Sequence, residues 1–207
     1  MAERSRPFFN SQNTSLSLDL PDWAVADLNL LPTHIQDIEG RMQVVIEFSR
    51  KNFRAGTGGP FAAGIFERQS GRLVVIGVNR VVPFNCSPAH AEIMGISLAQ
   101  RILNHYDLGA PDMPEHQIVV NWRPCAMCFG AVFWSGITSM AIAGAGPELE
   151  EITGFDEGPI HPGWRAELDR RGIHLQENIL RDQAIEVYQE FAGSNQFVYN
   201  ARLGANK

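Results

Sequence analysis

His90-Ala91-Glu92 and, further along the chain, Pro124-Cys125-Ala126-Met127-Cys128 bring together one imidazole, two thiols and a carboxylate. His and Cys are the ligand types that zinc prefers. A catalytic zinc takes three protein ligands and keeps its fourth position for water. His90, Cys125 and Cys128 fill those three places, and Glu92 is left over. A carboxylate beside such a water is free to move protons: it takes one from the water and delivers protons to a ring nitrogen and a departing amine. Attack on an amino-substituted ring carbon would then yield a carbonyl and ammonia. A dry pocket raises a carboxylate pKa, which suits these alternating roles. Taken singly the pieces say little. His-x-Glu is weak, and Cys-x-x-Cys also occurs as a redox pair or half of a structural zinc site. Cys86, four residues before His90, is a candidate fourth ligand for that structural reading, but the reading leaves Glu92 without a purpose.

Both ligand motifs fall where the pattern predicts helix N-termini. The segment from Pro88 to about His105 reads as a helix with His90 and Glu92 in its first turn. Pro124 stands where a helix can begin, and Cys125 to Trp134 continues it. Cys125 and Cys128, three apart, share a helical face. Backbone N–H groups and the positive dipole end favour thiolates there. An earlier helix is expected from about Thr33 to Phe53, with Thr33 as a candidate cap and a shorter one near Trp23 to Leu28 before it. Phe61 to Glu67 and Leu73 to Val78 read as strands joined at Gln69-Ser70-Gly71. Further strands are expected over Gln117 to Trp122, Thr138 to Ala143 and Ile173 to Leu175, and a helix over Arg181 to Phe191. Gly56-Thr57-Gly58-Gly59-Pro60 lacks the Gly-Lys-Ser/Thr of a phosphate loop and reads as a hairpin leader. Helices alternating with strands after a hairpin predict a mixed sheet covered on both faces. Residues 1–33 read as an irregular N-terminal segment and 34–207 as the catalytic domain.

The chain has 207 residues, 44% hydrophobic and 19% charged, the balance of a globular chain with one sizeable core. No apolar run reaches the ~18 residues of a membrane span. The opening residues Met1 to Arg6 lack the apolar core of a secretory signal, so a cytoplasmic location is expected. Three cysteines, an odd count, argue against a disulfide framework. The formal net charge of −6 disfavours a nucleic-acid partner and suits a small neutral substrate.

His-x-Glu followed by Pro-Cys-x-x-Cys is the signature of the zinc nucleobase deaminases. From about Phe61 onward the chain resembles the cytidine deaminase superfamily, and within it the bacterial guanine deaminases. Gly59-Pro60-Phe61-Ala62-Ala63, Asn79-Arg80-Val81-Val82, Pro124 to Ala131, Gly154-Phe155-Asp156-Glu157-Gly158-Pro159 and Tyr199-Asn200-Ala201-Arg202 carry the likeness. The resemblance implies an α/β fold, a three-layer α/β/α sandwich around a mixed five-stranded sheet. It implies one catalytic Zn²⁺ per subunit, a homodimer, and hydrolysis of guanine to xanthine and ammonia. It further implies that Glu157 contacts the amino and ring N–H groups of the base, making Glu92 and Glu157 the catalytic pair, and that a second carboxylate helps carry protons to the leaving amine. Asn79 would hold the base through an amide that both donates and accepts. Phe61 and Phe155 would wall in the ring, and Tyr199 would belong to a C-terminal lid from its own subunit or a neighbour's.

Each of these residues has a plainer reading: Asn79 as a turn cap, the phenylalanines as core, Asp156 and Glu157 as solvated loop carboxylates. Trp122 and Trp134 are adequately explained by packing, and His34, His105, His116, His161 and His174 have no ligand spacing to the motif. One departure stands out. The family often has Glu before the Pro-Cys pair, and here the residue is Arg123. If that side chain faces the pocket, another amino-substituted ring, such as ammeline, a nucleoside or cytosine, becomes a candidate substrate. A tRNA adenosine deaminase would need a basic surface and room for a flipped nucleotide. A zinc-stabilised binding protein without catalysis would have no use for Glu92.

Overall fold

A computed structural model describes residues 15–201. Met1 to Arg6 and Arg202, read above, lie outside the described residues. Helix α1 spans Asp22–Leu28 and α2 Ile38–Arg54. Strands β1 (Ala62–Glu67) and β2 (Leu73–Val78) form the hairpin, followed by α3 (Val81–Phe84) and α4 (Ala91–Leu103). Then come β3 (His116–Val120), α5 (Ala126–Trp134), β4 (Ser139–Ile142), α6 (Glu148–Thr153), α7 (Trp164–Arg170), β5 (His174–Gln176) and α8 (Arg181–Gly193).

The sheet runs in the order β2-β1-β3-β4-β5. β1 is antiparallel to both β2 and β3, while β3, β4 and β5 are parallel. Side chains alternate between two buried faces. Phe66, Ile76, Val78, Val119 and Ala141 meet Val45 and Ile46 of α2 and Val187 and Phe191 of α8. Ile65, Val75, Ile118, Val120 and Met140 meet Ile96 of α4, Val132 of α5 and Leu168 of α7. A strand covered on both faces reads as an almost unbroken apolar run, as in Leu73–Val78. The expected three-layer α/β/α architecture with a mixed five-stranded sheet is therefore what forms.

Several boundaries differ from the sequence reading. α2 starts at Ile38, because Asp37 caps it by accepting the Gly40 N–H at 2.6 Å. Thr33 is held by the sheet instead: its carbonyl accepts the Leu73 N–H at 2.9 Å, and His34 bridges Arg72. His90 is the N-cap of α4 and not a first-turn residue; Cys125 is the N-cap of α5, one residue after Pro124. The short helices α3, α6 and α7 were not anticipated.

α4 lies very close to β2. A Cβ on Gly77 would come within 2.3 Å of the Gly95 nitrogen and 2.4 Å of the Ala91 oxygen, so only glycine permits this approach. The contact presses the start of α4, with its ligand motif, against the sheet. Beyond β3 the chain passes through Asn121-Trp122-Arg123-Pro124 into α5. Buried Asn121 fixes that passage. Its Oδ1 accepts the Ala62 N–H at 3.0 Å, and its Nδ2 donates to the Pro60 carbonyl at 3.0 Å and the Tyr188 hydroxyl at 2.8 Å. Among the described residues, no helix is long and apolar enough to cross a membrane.

Candidate metal centre and substrate recess

The N-termini of α4 and α5 meet at the carboxyl end of β3, the edge of an open α/β sheet where ligands commonly bind. An N-cap side chain ordinarily accepts a hydrogen bond from its own helix. His90 and Cys125 make no such bond, so both point into the space between the helices. One donor atom each from His90, Cys125 and Cys128 lies within 4.8 Å of the others, with Cys125 Sγ 3.6 Å from His90 Nδ1. Cys86 takes no part in the cluster, which deprives the structural-zinc reading of its fourth ligand.

The cluster is chemically ready for a cation. A hydrogen bond from the Cys128 thiol brings the Cys125 thiol down to about 4; burial opposes this and His90 assists it. Cys128, which keeps that proton and is buried, is pushed up. Burial works against a charged His90, but the Cys125 contact and the carboxylates of Glu92 and Glu157 outweigh it and raise its pKa. One imidazole and two adjacent sulfurs, one of them readily a thiolate, fit Zn²⁺ and leave a coordination position open.

Two carboxylates face the cluster. Glu92, in the first turn of α4, is buried, and that burial raises its pKa. Glu157 comes from the loop after α6. Burial first, then the charges of Cys125 and Glu92, raises it to about 8. Phe61, Asn79 and Trp122 complete the recess around them. Its volume is about 10 Å³, room for roughly one water.

Asn79 is placed differently from a free amide. Its Oδ1 already accepts the backbone N–H groups of Gly59 and Val81, both at 3.3 Å. Its Nδ2 donates to the Tyr199 hydroxyl at 2.5 Å. The oxygen is committed to the backbone, so Asn79 has only its N–H donors to offer a ligand. Gly58 makes this closeness possible: at φ +157, a Cβ there would lie 1.8 Å from the Asn79 carbonyl oxygen. Tyr199 stands over the recess from its own chain, 5.0 Å from the Phe155 ring and 6.3 Å from the His90 ring between centroids. Phe61 lines the recess. Phe155 stands behind it, packed edge-on against Phe61 at 5.1 Å and stacked on Phe191 at 5.4 Å.

Arg123 also lines the recess, but its charge is spoken for. Its guanidinium pairs with Glu150 and donates from Nε to the Ala145 carbonyl at 3.1 Å, leaving the side chain 11% exposed. Asp156 is exposed, and its carboxylate accepts the Gly158 N–H in a local turn. None of the other five histidines joins the cluster; His116, the buried one, contacts the Leu108 carbonyl at 2.8 Å. The sequence reading missed Trp122 as a wall of the recess. The residue is core and wall at once, since its ring packs edge-on against Tyr188 and its N–H reaches the Gly146 carbonyl at 3.2 Å.

Residues 35–143 match the cytidine and deoxycytidylate deaminase zinc-binding region, and the chain belongs to that family. Its relatives narrow the comparison. It is 44% identical to a solved structure described as the guanine deaminase from Nitrosomonas europaea. That match covers 87% of this chain and 98% of the other, with a TM-score of 0.82. It is 45% identical to a protein solved in complex with 2,6-diaminopurine, covering 92% of this chain and 99% of that one, at a TM-score of 0.84. It is also 28% identical over 145 residues to the guanine deaminase of Bacillus subtilis, covering 69% of this chain and 88% of that protein.

Proposed function

We infer that the protein hydrolyses guanine to xanthine and ammonia. The observation that carries this reading is the convergence of two carboxylates, buried Glu92 and half-buried Glu157, on one His–Cys–Cys cluster, in a recess whose far wall offers the Asn79 amide donor. The chain's membership of a deaminase family and its likeness to guanine deaminases support it.

In this reading His90, Cys125 and Cys128 hold one zinc per subunit. Bound zinc supplies Lewis acidity that brings the pKa of water near neutrality. Glu92 takes a proton from the attacking water and passes protons to the ring nitrogen and the leaving amine, so that the C–N bond breaks as the carbonyl forms. Glu157 faces the amino and ring N–H edge of the base. Asn79 donates to an acceptor on the opposite edge, and Phe61 walls the ring. A space of about 10 Å³ admits no purine, so the recess has to widen, and Tyr199, bonded to Asn79, is the residue that would move. Glu150 pairs the charge of Arg123, which weighs against a substrate chosen by that cation, while its buried Nη1 keeps an unpartnered donor in a residue that lines the recess. The reading also takes residues 34–207 as the catalytic domain of a cytoplasmic homodimer.

The test is an ammonia-release screen of the zinc-loaded protein over guanine, guanosine, adenine, cytosine, cytidine and ammeline, with xanthine followed spectroscopically. Guanine should be the best substrate. A zinc-loaded protein inert towards guanine would overturn the assignment, and turnover of another ring would replace it.

A further inference from the structure

We propose that Asn200 is a positioning residue that holds the Glu157 loop against the recess; the proposal rests on the guanine deaminase reading. The loop from Gly154 to Ile160 has no regular structure. Its own hydrogen bonds are local: the Phe155 N–H donates to Thr153 Oγ1 at 3.2 Å and the Gly158 N–H to Asp156 Oδ1 at 3.0 Å. Among the described residues, Asn200 alone hydrogen-bonds it from a distant part of the chain. Its Oδ1 accepts the Asp156 N–H at 3.0 Å, and its Nδ2 donates to the Gly154 carbonyl at 2.9 Å. The two groups flank Phe155, so one planar amide grips the backbone on both sides of that residue, as a neighbouring strand would.

The next residue after this grip is Glu157. No described residue hydrogen-bonds its carboxylate, so the backbone largely sets where it points. Tyr199, the neighbour of Asn200, packs on Phe155 and accepts from Asn79. Adjacent residues of the C-terminal segment thus do separate work: Tyr199 covers the recess and Asn200 fixes its acidic wall. Only an amide carries a donor and an acceptor side by side in this way.

Asn200→Ala should lower kcat/KM for guanine about tenfold, the loss of one to two ordinary hydrogen bonds. Zinc content should stay at the wild-type level, and the thermal midpoint should fall by no more than a few degrees. Asn200→Asp keeps the acceptor but turns an oxygen towards the Gly154 carbonyl, and should fall with Ala; wild-type activity in the Asp variant would overturn the two-point grip. In a Glu157→Gln background, Asn200→Ala should cost less than about twofold, because the group it positions is already gone. Additive losses in that cycle would mean that Asn200 acts elsewhere and would refute the proposal. Hydrogen exchange supplies a readout independent of turnover: Asn200→Ala should speed exchange across residues 154–160, and unchanged exchange overturns the grip. If the wild-type protein fails to deaminate guanine, the functional reading falls, while the exchange result still decides the role of Asn200.

Discussion

Gly77→Ala probes the distance that places the ligand motif. The added Cβ would lie 2.3 Å from the Gly95 nitrogen, 2.4 Å from the Ala91 oxygen and 2.8 Å from the Gly95 Cα. All three are backbone atoms of α4, so no side chain can rotate out of the way. Ordinary contact begins at 3.4 Å, so α4 has to retreat from β2 by about 1 Å. Overpacking of this kind costs about 1–3 kcal/mol in stability. The larger effect should be on function, because the start of α4 carries His90 and Glu92. A misplacement of about 1 Å at reacting groups costs on the order of 10²-fold in rate. The assay combines metal content, thermal midpoint and kcat/KM for guanine. Gly193→Ala at the end of α8, where a Cβ meets nothing within 4 Å, is the control and should leave all three unchanged. If Gly77→Ala keeps wild-type metal content and kcat/KM, the close seat of α4 on β2 does not position the site.

Glu92→Gln should retain zinc and lose about 10²–10⁴ in kcat, the usual weight of a positioned acid–base group; near-wild-type kcat would remove Glu92 from proton transfer. Chelation should abolish deamination and lower the thermal midpoint, with both restored by Zn²⁺, and full turnover by metal-free protein would exclude the metal's role. Replacing Arg123 and Glu150 together by Gln should leave the preference for guanine over ammeline as it is, since their charges already cancel; a changed ratio would give Arg123 a hand in selectivity. Glu157 predicts a pH effect in the metal-free protein. Its pKa is raised from 4.5 to about 8, chiefly by burial, so its neutral form is the one the fold favours. That stability is fully present below 4.5 and is lost as pH rises through about 8. Glu157→Gln should flatten the decline, by at most about 5 kcal/mol at 1.36 kcal/mol per unit. Parallel curves of thermal midpoint against pH for the two proteins would show that the carboxyl is solvated.

The chemistry of the site was legible because its reacting groups are local in sequence. His90 and Glu92 lie at one helix start, with His90 as its cap, and Cys125 and Cys128 at another, with Cys125 as its cap, so each pair is held together by two or three residues of chain. The long strands and α2, α4 and α8 were legible for the same reason, since a hydrophobic period repeats enough times to be read. Helices α3 and α6, of 4 and 6 residues, are too short to show one. Thr33 looked like a cap because it is a good capping residue. It lost to Asp37 once the sheet claimed its backbone, a competition that only tertiary structure can decide.

Substrate choice is harder to read, for a physical reason. An amide or a guanidinium contributes to recognition only through the atoms that folding leaves uncommitted. Asn79 looks in sequence like a group that donates and accepts, yet Gly59 and Val81 take its oxygen. Arg123 looks like a cation beside the zinc ligands, yet Glu150, 27 positions away, removes its charge from the balance. Of the two N–H donors that Asn79 retains, one is taken by Tyr199. On the proposed reading, a ring that enters presents an acceptor to the remaining Asn79 N–H and N–H groups to Glu157 on its other edge. Guanine has both. A ring lacking either would leave the Asn79 donor or the half-buried Glu157 carboxylate without a partner, and unpaired groups shielded from water are what discriminate most strongly between otherwise similar substrates.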